Sequence, residues 1–118
     1  MFKKVTIVYT LLIIFISLIP LPQLPFPKFD LFQWDKFFHL LVYLIMSLMW
    51  LRLGFFQTNS LKYSYLTIVV LIGVITESLQ GLLPIGRYFE IADIIANFCG
   101  ILIGFALTKL YIFKNKLS

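Results

Sequence analysis

Asp35 and His39 stand four residues apart at the start of an apolar segment, and Tyr43 follows four residues later. Glu77 and Gln80 lie near the end of a second apolar segment, and Arg87 sits in the short stretch after it. Asp93 and Asn97, again four apart, open a third. Residues four apart share one face of a helix. An imidazole oriented by a carboxylate can carry protons near neutral pH, so Asp35, His39 and Glu77 are the candidate acid and base. Arg87 suits a bidentate grip on a phosphate or carboxylate. Lys36, Tyr43, Gln80, Asp93 and Asn97 complete a candidate ligand-binding set around it.

Each of these residues also has a plainer reading. His39 by itself would be a satisfied core histidine. Gln80 and Asn97 could be interhelical glue, and Glu77 less so, because a neutral residue glues at lower cost. Arg87 could be an interfacial anchor. Asp35, Glu90 and Asp93 could be acids at helix starts, where the dipole favours them. One histidine with Asp35, Glu77 and Asp93 would suit Mg²⁺ or Mn²⁺ better than zinc. No HExxH or CxxC spacing supports a metal, so no metal and no other cofactor is expected. A nucleophile elbow, a phosphate-cradling glycine loop and a nucleotide fingerprint are equally missing from the string.

Composition says what must position these groups. Of 118 residues, 61% are hydrophobic and 13% charged, and the mean hydropathy is +0.99. Soluble domains are far less apolar. The chain has room for about four spans of 17–25 residues and little else. The expectation is a single all-α domain over residues 1–118, a four-helix transmembrane bundle with spans near 5–19, 35–53, 63–82 and 91–113. The first run follows Lys3 and Lys4 like a signal peptide but lacks a small-x-small cleavage pattern, so it reads as an uncleaved helix. Residues 21–34, with Pro22, Pro25 and Pro27, read as an extended, proline-stiffened loop. Gly54 and the stretch 57–60 mark a turn. Cys99 is the only cysteine, which excludes an internal disulfide.

Net charge is +5, but the basic residues sit singly at segment ends, so nucleic acid is not an expected partner. They read instead as topology signals. Lys3, Lys4, Arg52, Lys62, Lys109, Lys114 and Lys116 fall on the side of the N-terminus, and Lys28, Lys36 and Arg87 on the other. Seven against three predicts both termini inside, an N-in/C-in bundle. All five acids then lie toward the outside, where a cluster of ionisable groups in hydrocarbon marks a functional site. Ala92, Ala96, Gly100, Gly104 and Thr108 form a small-residue stripe, with Gly73 and Gly81 a weaker one. Such stripes let membrane helices approach closely. They predict a tight hairpin of the third and fourth spans that carries Glu77 against Asn97.

Three strings together resemble the VanZ-like family: Asp35-Lys36-x-x-His39-x-x-x-Tyr43, then Glu77-Ser78-Leu79-Gln80 followed by Arg87, then Asp93-Ile94-Ile95-Ala96-Asn97-Phe98-Cys99-Gly100. The resemblance covers residues from Asp35 to about Gly104. It implies a small multi-span protein of the bacterial inner membrane with an outer-facing polar cluster. The family is named for a protein of teicoplanin resistance, which supplies a site more than a reaction. Many members carry Ser or Thr shortly before the final Asp, whereas Glu90-Ile91-Ala92 stands here.

Two functions fit. The first is a binding or assembly module whose polar pocket recognises a lipid-linked or cell-wall precursor, or a partner membrane protein. The second is a membrane-embedded hydrolase or transferase acting on such a precursor by acid–base chemistry. The lack of an evident nucleophile favours the first.

Overall fold

The computed structural model describes residues 1–19, 28–84 and 89–117, with side chains for 1–19, 36–84 and 89–114. Regular structure among them is helical throughout: α1 (Phe2–Leu18), α2 (Lys28–Thr58), α3 (Tyr63–Leu82) and α4 (Ile91–Leu117). Within these, Lys36–Thr58, Tyr63–Leu82 and Ile91–Lys114 are long and apolar enough to cross a membrane. The chain is a multi-pass membrane protein. α1, at 17 residues, is at the short limit for a span.

Helix ends follow local chemistry. α1 stops where Ile19 turns extended, just before Pro20. α3 stops at Leu83, also extended, just before Pro84. α2 differs from the sequence expectation at both ends. It begins at Lys28, so residues 28–34 are helix and not extended loop. The last proline is Pro27, and no helix breaker intervenes before Gly54. At the other end α2 passes through Gly54 and stops at Thr58. The turn falls on Asn59, whose φ of 58° is tolerable to asparagine, and its N–H bonds the Phe55 carbonyl at 2.8 Å. Gly54 serves packing instead. A Cβ there would stand 2.8 Å from the Lys62 Cβ, where the chain turns back into α3.

The interior is more polar than the exterior. Thr6, Thr10, Ser47, Thr76, Glu77, Gln80, Asp93, Asn97 and Thr108 are buried, while Val8, Phe15, Leu71, Ile95, Leu102, Leu110 and Phe113 face outward. This inverts the soluble pattern and suits lipid. Tyr43, Met46, Val69 and Ile101 form the apolar centre.

The glycines of α4 pack on α2, not on α3 as the hairpin expectation had it. A Cβ at Gly100 would collide with the Leu40 carbonyl oxygen and approach the Leu44 nitrogen to 2.9 Å. One at Gly104 would collide with Ser47 Oγ. A stripe of small residues reports that some helix comes close but not which one. The buried face of α4 runs Asp93, Asn97, Gly100, Ile101, Gly104, Thr108, Ile112, whereas Ala92 is exposed. α3 meets the other two helices at Gly73, where a Cβ would stand 3.2 Å from the Tyr43 ring and 3.5 Å from Asn97 Nδ2.

Candidate functional site

α2, α3 and α4 each deliver one ionisable side chain to a common point near the end of the bundle remote from the N-terminus. One polar atom from each of His39, Glu77 and Asp93 lies within 4.8 Å of the others. The helical register explains the meeting. His39 is placed three residues after Lys36 on α2, Glu77 is on the buried face of α3, and Asp93 is in the first turn of α4. Glu77 and Asp93 are 1% and 4% exposed. Carboxylates at such depth require compensation.

That compensation is specific. His39 Nδ1 lies 3.0 Å from Asn97 Oδ1, and the imidazole donates from Nδ1 with the amide oxygen as acceptor. Nε2, across the ring, is 3.8 Å from Asp93 Oδ2. The Lys36 ammonium donates to both Asp93 Oδ1 and Glu90 Oε2. The Glu90 backbone N–H donates to Glu77 Oε1 at 2.8 Å. Among the described residues no buried side-chain polar atom lacks a hydrogen bond.

Deeper in the bundle the Tyr43 hydroxyl meets Thr76 Oγ1 at 3.1 Å, and Thr76 donates in turn to the Ile72 carbonyl. Gln80 Nε2 donates to the Ser17 carbonyl at 2.8 Å, tying α3 to α1. These two residues brace the bundle at the edge of the cluster. They also border a crevice of about 140 Å³ lined by Ile13, Ile16, Ser17, Phe38, His39, Val42, Tyr43 and Gln80. Its walls are mostly apolar, and Ser17, His39, Tyr43 and Gln80 are the residues with polar groups among them.

The strings that carry this cluster lie inside a longer match. A family model described as VanZ/LLP1 matches residues 5–114. The chain belongs to this family. No curated protein and no solved structure matches it.

Of the residues singled out from the sequence, Lys36, His39, Glu77, Asp93 and Asn97 converge. Tyr43 and Gln80 flank them. Asn97 pairs with His39 on α2 rather than with Glu77 as the hairpin expectation had it. The side chain of Asp35 and the whole of Arg87 lie outside the described residues. Two contributions were not anticipated. Glu90 holds Glu77 through its peptide N–H and Lys36 through its carboxylate. Backbone donors carry no sequence signal. α1 supplies the second: Thr6 and Thr10 are buried, Ser17 is half-buried beside Gln80, Trp50 Nε1 donates to Thr10 Oγ1 at 2.9 Å, and the Tyr9 hydroxyl donates to the Val42 carbonyl at 2.9 Å. The spacing of those hydroxyl residues, four and then seven apart in an otherwise apolar run, was the available signal.

Proposed function

We propose that this VanZ/LLP1 protein binds the polar head of a lipid-linked or cell-envelope precursor in a pocket on the outer side of the bacterial inner membrane. The crevice beside His39 carries the reading. Ile13, Ile16, Phe38 and Val42 offer apolar walls to a chain, and His39, Tyr43 and Gln80 add polar groups to the same lining. An apolar cleft with a few convergent polar groups is the usual form of a ligand site. Arg87 and Lys36 are assigned to an anionic head, with Asp35, Glu77, Asp93 and Asn97 to its hydroxyl or amino groups. In this reading the whole of residues 1–118 is one domain, α1 is a fourth span, and both termini are cytoplasmic. The seven-to-three distribution of basic residues supports that orientation.

The binding test uses native mass spectrometry of detergent-purified protein loaded with a polyprenyl phosphate, with phosphatidylglycerol as control. The wild type is expected to retain the polyprenyl phosphate, and Val42→Trp, which fills the crevice, to lose it. Equal retention by both would remove the crevice as the site. Orientation is tested by thiol labelling from outside in a Cys99→Ser background. Gln23→Cys should label and Asn59→Cys should not; the reverse would put the site on the cytoplasmic face.

The proximity of His39, Glu77 and Asp93 supports a second reading, in which the bound precursor is hydrolysed or transferred by acid–base chemistry. Turnover of the retained lipid would select it. In cells, the proposal links the pocket to teicoplanin susceptibility, read as a change on expressing the wild type that Val42→Trp does not reproduce.

A further inference from the structure

We propose that His39, Glu77 and Asp93 form a binding site for a hard divalent cation of the Mn²⁺ or Mg²⁺ class. The donor set is one imidazole nitrogen and two carboxylate oxygens, drawn from three different helices. Oxygen-rich sets of this kind suit Mn²⁺ and Mg²⁺. An octahedral ion with bonds of about 2.1 Å holds its ligands about 3.0 Å apart when adjacent and about 4.2 Å apart across the ion. The three atoms lie within 4.8 Å of one another, and His39 Nε2 to Asp93 Oδ2 is 3.8 Å. Small side-chain rotations close that gap.

Burial separates this group from an ordinary surface cluster. Glu77 and Asp93 are almost wholly enclosed. Bringing two carboxylates together in such a place is costly unless a cation joins them or they share a proton. Among the described contacts Lys36 meets Asp93 and Glu90, while Glu77 is met by a peptide N–H, by the Asp93 carboxyl and by the field of His39, and a divalent cation at this point would join all three side chains.

The outer partners of the three residues are arranged as around a metal. Each candidate ligand is held through one polar atom by a group outside the triad. Asn97 holds His39 at Nδ1, Lys36 holds Asp93 at Oδ1, and the Glu90 N–H holds Glu77 at Oε1. A metal-binding histidine almost always has its second nitrogen fixed in this way, which sets the tautomer and turns the first nitrogen to the ion. In the neutral ring the Asn97 contact directs the Nε2 lone pair toward the Asp93 side.

The cation would sit beside the crevice and could contact an anionic head there. To that extent the inference deepens the proposed function, though ion binding is measurable without any lipid. The experiment is a Mn²⁺ titration of chelator-stripped, delipidated protein, read by loss of the free-ion electron paramagnetic resonance signal, with Mg²⁺ as competitor. One Mn²⁺ per chain is expected. His39→Ala and Glu77→Gln should weaken binding at least tenfold, and Asn97→Ala by a factor of about ten or more through the histidine it holds. Cys99→Ser, exposed on the far side of α4 from the cluster, should bind as the wild type does. Size-exclusion profiles show whether each variant is folded, and His39→Gln replaces any variant that is not. No saturable binding by the wild type, or wild-type affinity in His39→Gln and Glu77→Gln, overturns the site. Mn²⁺ bound without retention of polyprenyl phosphate defeats the proposed lipid function alone. Lipid retained without Mn²⁺ binding defeats this inference alone.

Discussion

At the end of the bundle that holds His39, Glu77 and Asp93, charged groups meet one another inside the protein. At the opposite end they lie over aromatic rings. Arg52 stands 5.2 Å from the Phe56 ring centre and 5.5 Å from that of Tyr111; Lys62 is 4.2 Å from Tyr65, and Lys109 is 5.6 Å from Phe105. A cavity of about 520 Å³ also lies at that end, lined by Phe2, Ile45, Met49, Arg52, Leu107 and Tyr111 among others. It is larger than the crevice beside His39 but offers little polar chemistry apart from Arg52 and Thr108. A cation over a ring needs no second charge and keeps its contact with headgroups, so it anchors a helix end cheaply. Carboxylates buried within three helices are expensive and demand matched partners. Size marks where lipid can pack; the convergence of costly groups is what the proposed function rests on.

The comparison can be broken by removing one cation from each end. Lys36→Met leaves Asp93, 6% exposed at its side chain, beside Glu90 without their ammonium partner. Thermal unfolding in detergent should register a loss of about 3 kcal/mol, the range seen when one member of a buried pair is removed. A loss under about 1 kcal/mol would mean the cluster is solvated like a surface pair. Next in size is Gly100→Ala, whose new methyl would meet the α2 backbone at Leu40 and cost about 1–3 kcal/mol. Gly104→Ala should cost less, because the nearest obstacle is the rotatable Ser47 hydroxyl. The reverse order would place the tightest helix contact farther from the site. Smallest is Arg52→Met, which removes exposed ring contacts and should cost less than about 1 kcal/mol.

The polar end was legible in the sequence because its members follow helical spacing. His39 and Glu77 could be brought to one depth, and Asp93 and Asn97 to one face, by counting 1.5 Å per residue. Which helices touch was not legible. Gly100 and Gly104 announce a close approach, yet their partner is fixed by Leu40, Leu44 and Ser47, residues that look like any lipid-facing row. The start of α2 was obscured by four prolines, whose influence ends at Pro27 while Lys28 already belongs to the helix. Glu90 looked like a helix-start acid, and its larger role passes through a backbone N–H that every residue except proline shares.

Retention of a polyprenyl phosphate by Glu77→Gln, set beside Arg52→Met, tests the central claim most directly. Both substitutions remove one charge, one at each end of the bundle, and both proteins are expected to reach the membrane at near wild-type levels. Native mass spectrometry should find the lipid bound to the wild type and to Arg52→Met and absent from Glu77→Gln. Lipid held equally by Glu77→Gln, or lost only in Arg52→Met, would contradict the account and move the binding site to the cavity at the other end.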